Sequence, residues 1–220
     1  MSSSTLSSTT TPTGDRAAML RRFFDVLEKV VLLAFYTYFL VPIIKAVWHH
    51  GDLGASLLAF SETLVVALVF FRRPAQVLSH RPGDWVLAFG ATLAPTLVRP
   101  GESGPSMLGS AAVLLMLLGV CVQVGSKSML GRRFGVVAAN RGICASGPYR
   151  VVRHPIYLGY LLTHIGFLCI YPSGWNATIY ALAYCLMIPR IFAEERLLRC
   201  DPAYVAYCQR VRSRLIPGVL

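Results

Sequence analysis

The sequence GPYRVVRHPIYLGY, residues 147–160, places three basic side chains directly before an apolar helix. They are Arg150, Arg153 and His154. Membrane helices avoid such clusters unless the charges face an anionic group or the lipid headgroups. The next apolar segment ends on the acidic pair Glu194-Glu195, and only the short sequence YPSGWN separates the two segments. The pattern therefore predicts a helical hairpin whose oppositely charged ends form one polar pocket at one membrane face.

The composition indicates a membrane protein. The chain has 220 residues, of which 55% are hydrophobic and 14% charged, whereas soluble domains carry about 25% charged residues. The apolar residues occur in blocks long enough to cross a bilayer. They predict an all-α, polytopic membrane bundle of about six transmembrane helices with a C-terminal amphipathic segment. The expected spans are 26–47, 53–71, 84–98, 107–125, 156–172 and 174–193.

Three regions follow from this pattern. Residues 1–25 form a polar N-terminal tail, and residues 26–124 form N-terminal transmembrane helices. Residues 125–220 form a region that holds the helical hairpin, the charged clusters and a C-terminal segment. Tyr204, Tyr207 and Val211 recur in that segment at helical spacing. Such a helix either lies on the membrane surface or caps the pocket, and the sequence favours neither alternative.

The net charge of +11 follows the expected topology. With a cytoplasmic N-terminus, nineteen of the 21 basic residues fall on the cytoplasmic side, and only Lys45 and Arg99 fall outside. This distribution predicts a multi-pass protein of a bacterial inner membrane with both termini cytoplasmic. The distribution explains the basic charge, so nucleic acid is not expected as a partner. The expected partner is the lipid bilayer.

Several isolated residues are assigned structural roles. The six cysteines have no CxxC spacing and are expected to be reduced thiols that bind no metal. Glu62 and His164 lie within apolar spans. Both are expected to face the bundle interior, where hydrogen bonding between helices is favoured over catalysis.

The order of motifs carries a family resemblance. GRRFG and NRG precede RHPIY, and the hairpin is followed by EERLL, by a YxxY pattern and by RLIP. This order, over residues 125–220, resembles the membrane superfamily of isoprenylcysteine carboxyl methyltransferases and phospholipid N-methyltransferases. The likeness is closest to bacterial and archaeal integral-membrane proteins of the isoprenylcysteine branch. The resemblance implies S-adenosyl-L-methionine as methyl donor and a lipophilic acceptor that carries an isoprenylcysteine-type carboxylate or a hydrophobic thiol.

The residues suit that donor. Arg153 and His154 match its carboxylate, Glu194 or Glu195 its ribose hydroxyls, and the tyrosines its sulfonium. Its adenine requires an apolar slot, such as one beside Leu198. The expected donor site comprises Tyr149, Arg153, His154, Tyr157, Glu194, Glu195, Leu198, Tyr204 and Tyr207. The expected catalytic residues are Glu194, Glu195 and Arg153. A carboxylate acceptor needs no base, whereas an amine would need one of the glutamates, and Arg150 or Arg153 could hold an acceptor carboxylate.

Three alternatives remain open. The acceptor could be a phospholipid amine. A membrane reductase of the sterol type, which would use NADPH, has a similar architecture, although the Glu194-Glu195 pair and RHPIY favour methyl transfer. A transporter would show internal repeats, and the sequence shows none. A soluble-type Rossmann site is excluded because no strand precedes a glycine fingerprint.

Overall fold

The computed structural model describes residues 12–50, 63–99 and 109–218. Helices dominate these ranges, which agrees with the predicted all-α class. The α-helices are α1 (Pro12–His50), α2 (residues 63–71), α3 (Pro82–Leu93), α4 (Gly109–Leu130), α5 (Pro155–Ile170), α6 (Gly174–Leu198) and α7 (Pro202–Arg210). Short 3-10 turns occupy Ala94–Leu97, Gly131–Arg133 and Gly147–Arg150. Two short strands, β1 (Val77–Leu78) and β2 (Ala139–Asn140), pair antiparallel.

The described helices agree with a membrane protein but do not establish the number of spans. Two of them, α4 and α6, are long and apolar enough to cross a bilayer, and α5 is a shorter apolar helix of 16 residues. Helix α1 begins at Pro12, well before the predicted start of the first span. Residues 53–62, and Glu62 with them, lie outside the described residues. The six predicted spans are therefore not established as a set.

One predicted boundary is wrong. The last span was expected to stop at residue 193, before the acidic pair, but α6 continues to Leu198. Glu194 and Glu195 thus lie within the helix. The last turns of α6 contain charged residues because they contact other parts of the protein. Arg196, for example, donates to both carboxylate oxygens of Asp84 in α3, at 2.9 and 2.8 Å.

Glycines bring α4 and α5 into close contact. A Cβ atom on Gly159 would lie 2.8 Å from the carbonyl oxygen of Gly119. A Cβ on Gly119 would lie 2.7 Å from the carbonyl oxygen of Gly159, and one on Gly166 only 2.7 Å from that of Ala112. Any side chain at these positions would push the two helices apart. Small residues permit the same close backbone approach in other membrane bundles.

The hairpin of α5 and α6 is more open than the short turn suggested. Along its length α5 packs on α4, whereas α6 packs on α3, and few contacts join α5 to α6 directly. The two pairs are separated because the glycine faces of α4 and α5 fit each other, which commits α5 to α4. The space between the pairs forms a large cavity.

A buried group of charges attaches α1 to the rest of the fold. Arg72 contacts Asp25 at 3.1 Å and Glu28 at 3.1 Å. Arg141 contacts the same carboxylates at 2.9 and 3.0 Å. Glu28 is fully buried and also accepts hydrogen bonds from the backbone N–H groups of Val136 and Val137, at 3.0 and 2.9 Å. The N-terminal helix therefore holds the loop between α4 and α5 in place.

Candidate active site

A cavity of about 1020 Å³ lies between the two helix pairs. Its polar end is lined by charged and tyrosine side chains from α5, α6 and α7, and by the loop between α4 and α5. Apolar side chains of α4 and α5, among them Val113, Met116 and Phe167, line the remainder as far as Ile170. Ligand pockets commonly measure about 300–1,000 Å³. This cavity is at the upper limit, so it can hold two small ligands or one long one.

The C-terminal segment closes the polar end. The Tyr207 hydroxyl donates to the carbonyl oxygen of Tyr149 at 2.6 Å. The backbone N–H groups of Arg153 and His154 donate to the carbonyl oxygens of Ser213 and Arg214, at 3.0 and 2.8 Å. Helix α7 and the following residues therefore lie against the RHP motif. The amphipathic pattern of this segment reflects packing on protein, since Tyr204 and Tyr207 are buried.

Glu195 lies at the centre of a charged cluster. One carboxylate oxygen contacts His154 Nε2 at 3.2 Å and an Arg153 terminal nitrogen at 3.2 Å. The other contacts Arg214 Nε at 3.1 Å and, more distantly, Arg199 at 3.5 Å. The residue is only 2% exposed and does not line the cavity. Both of its oxygens are thus occupied by protein, so Glu195 fixes the arrangement of the motif.

Glu194 has a different environment. It lines the cavity, and its nearest hydrogen-bond donor is the Tyr157 hydroxyl at 3.5 Å. Arg190, one helical turn earlier, also lines the cavity and lies 5.6 Å from the Tyr157 ring centroid. Its terminal nitrogens donate to the carbonyl oxygen of Val136 at 2.8 Å and the Thr92 hydroxyl at 3.3 Å. Among the described residues that line the cavity, Glu194 is consequently the one acidic side chain, and a ligand can reach it.

Four cavity-lining residues hold buried polar atoms without a hydrogen-bond partner in the described part of the chain. They are Tyr204, through its hydroxyl, and Arg141, Arg153 and Arg190, each through Nε. The other nitrogens of Arg153 donate to Cys208 Sγ and to the carbonyl oxygen of Arg212, both at 3.1 Å. An unpaired buried polar group costs about 1–3 kcal/mol. Such atoms in the wall of a cavity indicate a polar ligand.

Burial also sets the ionisation of this end. It raises the pKa of Tyr149, Tyr204 and Tyr207, and nearby carboxylates or thiols add to that rise. These phenols remain neutral donors at physiological pH. Burial opposes the charge of Arg153, but the hydrogen bond to Cys208 and the Glu195 carboxylate raise its pKa overall. The polar end therefore presents neutral hydroxyls beside fixed positive charge.

The structure brings most of the predicted donor-site residues together. Eight of the nine line the cavity, and Glu195 is the exception. Arg150, considered for an acceptor carboxylate, is exposed and lies outside the lining.

Sequence reasoning missed several cavity residues. Arg190 was counted only as a positive-inside residue, although its spacing of four from Glu194 places both on one helix face. Arg141 and Arg133 lie between α4 and α5, where the sequence has no periodicity that predicts which way a side chain points. Gln123, Tyr160 and Thr163 also line the cavity. Within the described ranges, no group of three or more His, Cys, Asp or Glu side chains is placed to hold a metal ion.

The comparison with protein families agrees with the motif order. The family described as phospholipid methyltransferase matches residues 108–200, which include α4, α5, the RHP motif and all of α6. Two curated relatives match over 137 residues, about 60% of this chain. The cobalt-zinc-cadmium resistance protein CzcN of Cupriavidus metallidurans is 28% identical, and the nickel-cobalt-cadmium resistance protein NccN of Alcaligenes xylosoxydans xylosoxydans is 26% identical. The match spans 61% and 62% of their respective lengths.

A solved structure shares the fold. The eukaryotic intramembrane Ras methyltransferase ICMT, an isoprenylcysteine carboxyl methyltransferase, superposes with a TM-score of 0.53 at 17% identity. The superposition covers 96% of this chain and 88% of that one. The family match and the shared fold together confirm the resemblance to the membrane methyltransferase superfamily.

Proposed function

We propose that this protein is an integral-membrane methyltransferase that uses S-adenosyl-L-methionine and acts on a lipophilic acceptor. The observation that carries the proposal is the position of Glu194. It lies within the region matched by the phospholipid methyltransferase family, and it faces a cavity with a polar and an apolar end. A reaction between a water-soluble donor and a membrane-soluble acceptor requires such a cavity.

The polar end fits the donor. The Tyr204 hydroxyl and Arg153 Nε are buried, line the cavity and have no partner in the described ranges. Tyr204 and Glu194 would bind hydroxyl groups of the donor, and Arg153 with His154 would lie near its carboxylate. Tyr149, Tyr157 and Tyr207 would provide aromatic faces for the sulfonium, and Leu198 an apolar contact for the adenine.

The chemistry depends mainly on positioning. When bound, S-adenosyl-L-methionine supplies an activated methyl group, which an acceptor takes up by in-line displacement. Glu195 keeps His154 and Arg153 in one arrangement, while α7 and the tail exclude water from that end. Arg190, 5.6 Å from the Tyr157 ring, would attract an anionic acceptor group. Glu194 would accept a proton if the acceptor were an amine.

The acceptor side of the proposal is an isoprenylcysteine-type carboxylate or a hydrophobic thiol. Its support is the ICMT-like fold and the positive charge of Arg190, since an amine would gain nothing from a guanidinium. We place the polar end at the cytoplasmic face of a bacterial inner membrane, with six spans and both termini inside, on the basis of the charge distribution.

A methyl-transfer assay in mixed micelles tests the proposal. A prenylcysteine analogue, a hydrophobic thiol and phosphatidylethanolamine are offered separately with labelled donor. Transfer to the first or second is expected, and Glu194→Gln should reduce it. Transfer to phosphatidylethanolamine alone would instead select the phospholipid branch. If the protein instead oxidised NADPH in the presence of a sterol and transferred no methyl group, the result would contradict the proposal.

A further inference from the structure

A histidine lies in the apolar part of the cavity. His164, on α5, is 7% exposed and lines the cavity. Its Nδ1 lies 3.1 Å from the Tyr184 hydroxyl on α6. Its ring stacks on Tyr180, with ring centroids 4.2 Å apart and planes 23° apart. These contacts fix the imidazole in one orientation across the seam between α5 and α6.

The second ring nitrogen of His164 is available. Within the described part of the chain, the hydrogen bond of His164 uses Nδ1 and leaves Nε2 for a ligand, whereas Gln123 and Thr163 beside it are paired. Gln123 donates to the Thr163 hydroxyl at 2.9 Å, and that hydroxyl donates to the carbonyl oxygen of Gly159 at 2.9 Å. A bond between helices needs only Nδ1. Because polar groups are costly at this depth, the free nitrogen points to a ligand.

A row of rings joins this histidine to the polar end. Tyr157 and Tyr160 have ring centroids 6.2 Å apart, and Tyr160 and His164 have centroids 6.1 Å apart. All three residues line the cavity. They lie on one face of α5, and the seven residues from Tyr157 to His164 rise about 10 Å along the helix. One extended molecule can therefore contact Glu194, beside Tyr157, and His164 together.

We propose that His164 and Tyr180 form a second recognition site, for a hydroxyl or carbonyl oxygen in the chain of the acceptor. This oxygen lies about 10 Å from the atom that receives the methyl group. Among the lipophilic carboxylates and thiols proposed above, the acceptor is then one whose chain carries this oxygen. Tyr184 sets the tautomer: when its hydroxyl donates to Nδ1, Nε2 carries the proton and donates to the ligand oxygen. This inference rests on the proposed function, because it specifies the acceptor of the same cavity.

The test measures binding without methyl transfer. Detergent-purified protein is immobilised and loaded with labelled dodecanoate. Three unlabelled competitors then displace the label: dodecanoate itself, dodecanoate with a distal hydroxyl about 10 Å from the carboxylate, and dodecanoate with a proximal hydroxyl next to the carboxylate. The distal hydroxyl should improve affinity about two- to tenfold over the proximal one, the value of one hydrogen bond. His164→Phe keeps an aromatic ring and should abolish that preference. The two hydroxylated lipids can partition differently into micelles. Comparing their affinity ratio between the wild type and the variant cancels this difference.

The outcomes separate this inference from the proposed function. A distal preference in the wild type that is lost in His164→Phe and regained in His164→Gln supports the site. Equal affinity of the two hydroxylated lipids for the wild type overturns it, even if His164→Phe fails to fold. Failure of all three lipids to bind also overturns it. The micelle assay decides methyl transfer separately, so a transferase without distal preference would retain the proposed function and lose this site.

Discussion

At the scale of single residues, the two adjacent glutamates have different environments. Glu195 contacts His154 and three arginine side chains and is closed off from the cavity, whereas Glu194 faces it. Consecutive helical residues point in directions about 100° apart. One can therefore pack among charges while its neighbour faces a ligand. The sequence placed both in the donor site and could not tell them apart.

The glutamates should separate in mutagenesis. Glu195→Gln leaves the buried guanidinium of Arg153 without its carboxylate and should destabilise the protein by about 3–5 kcal/mol, as removal of one partner of a buried ion pair does. Glu194→Gln is its matched control and should leave stability nearly unchanged. Thermal unfolding in detergent measures both. Equal melting temperatures for the two variants would contradict the different environments.

At the scale of elements, the separation of the helix pairs depends on glycine contacts between α4 and α5. Gly159→Ala would place a Cβ 2.8 Å from the carbonyl oxygen of Gly119, so it should lower the melting temperature and disturb the cavity. Gly125→Ala, also on a tightly packed pair of helices, meets no atom within 4 Å and should be neutral or slightly stabilising. A fully stable Gly159→Ala variant would refute the tight packing.

Helix α1 contributes to the site through the loop that it holds. Glu28→Gln removes a carboxylate shared by Arg72 and Arg141 and weakens its hydrogen bonds to Val136 and Val137. We expect a lower melting temperature and weaker donor binding, because Val136 also accepts from Arg190. Lys45→Gln, on an exposed part of the same helix, is the control. If Glu28→Gln left the affinity for the donor unchanged, α1 would not contribute to the site.

The sequence predicted much of this arrangement, but only where charge and periodicity are strong. The RHP motif and the acidic pair could be assigned to one pocket because a short turn joins α5 to α6, whereas the two tyrosines of α7 were placed there only through the family resemblance. The pairing of α4 with α5 could not, because it depends on close approach at Gly119 and Gly159, which have no side-chain signal. The role of α1 was missed because four distant charges must meet to reveal it.

At the scale of the whole molecule, the polar end of the cavity should face the cytoplasm. Cys200 follows α6 and is exposed, so it reports the side on which this end lies. A membrane-impermeant thiol reagent should leave Cys200 unlabelled in intact cells and label it after permeabilisation. The variant Cys200→Ser identifies the labelled site. Labelling of Cys200 in intact cells would place the pocket on the wrong side.

The central claim is that the polar end of the cavity binds S-adenosyl-L-methionine through Glu194. Calorimetry on the detergent-purified protein tests it most directly, with Glu194→Gln and Tyr204→Phe as variants and NADPH as the competing cofactor. We predict saturable donor binding, weakened about ten- to a hundredfold by Glu194→Gln and about two- to tenfold by Tyr204→Phe. Donor affinity unchanged in both variants, or binding of NADPH in place of the donor, would contradict the account.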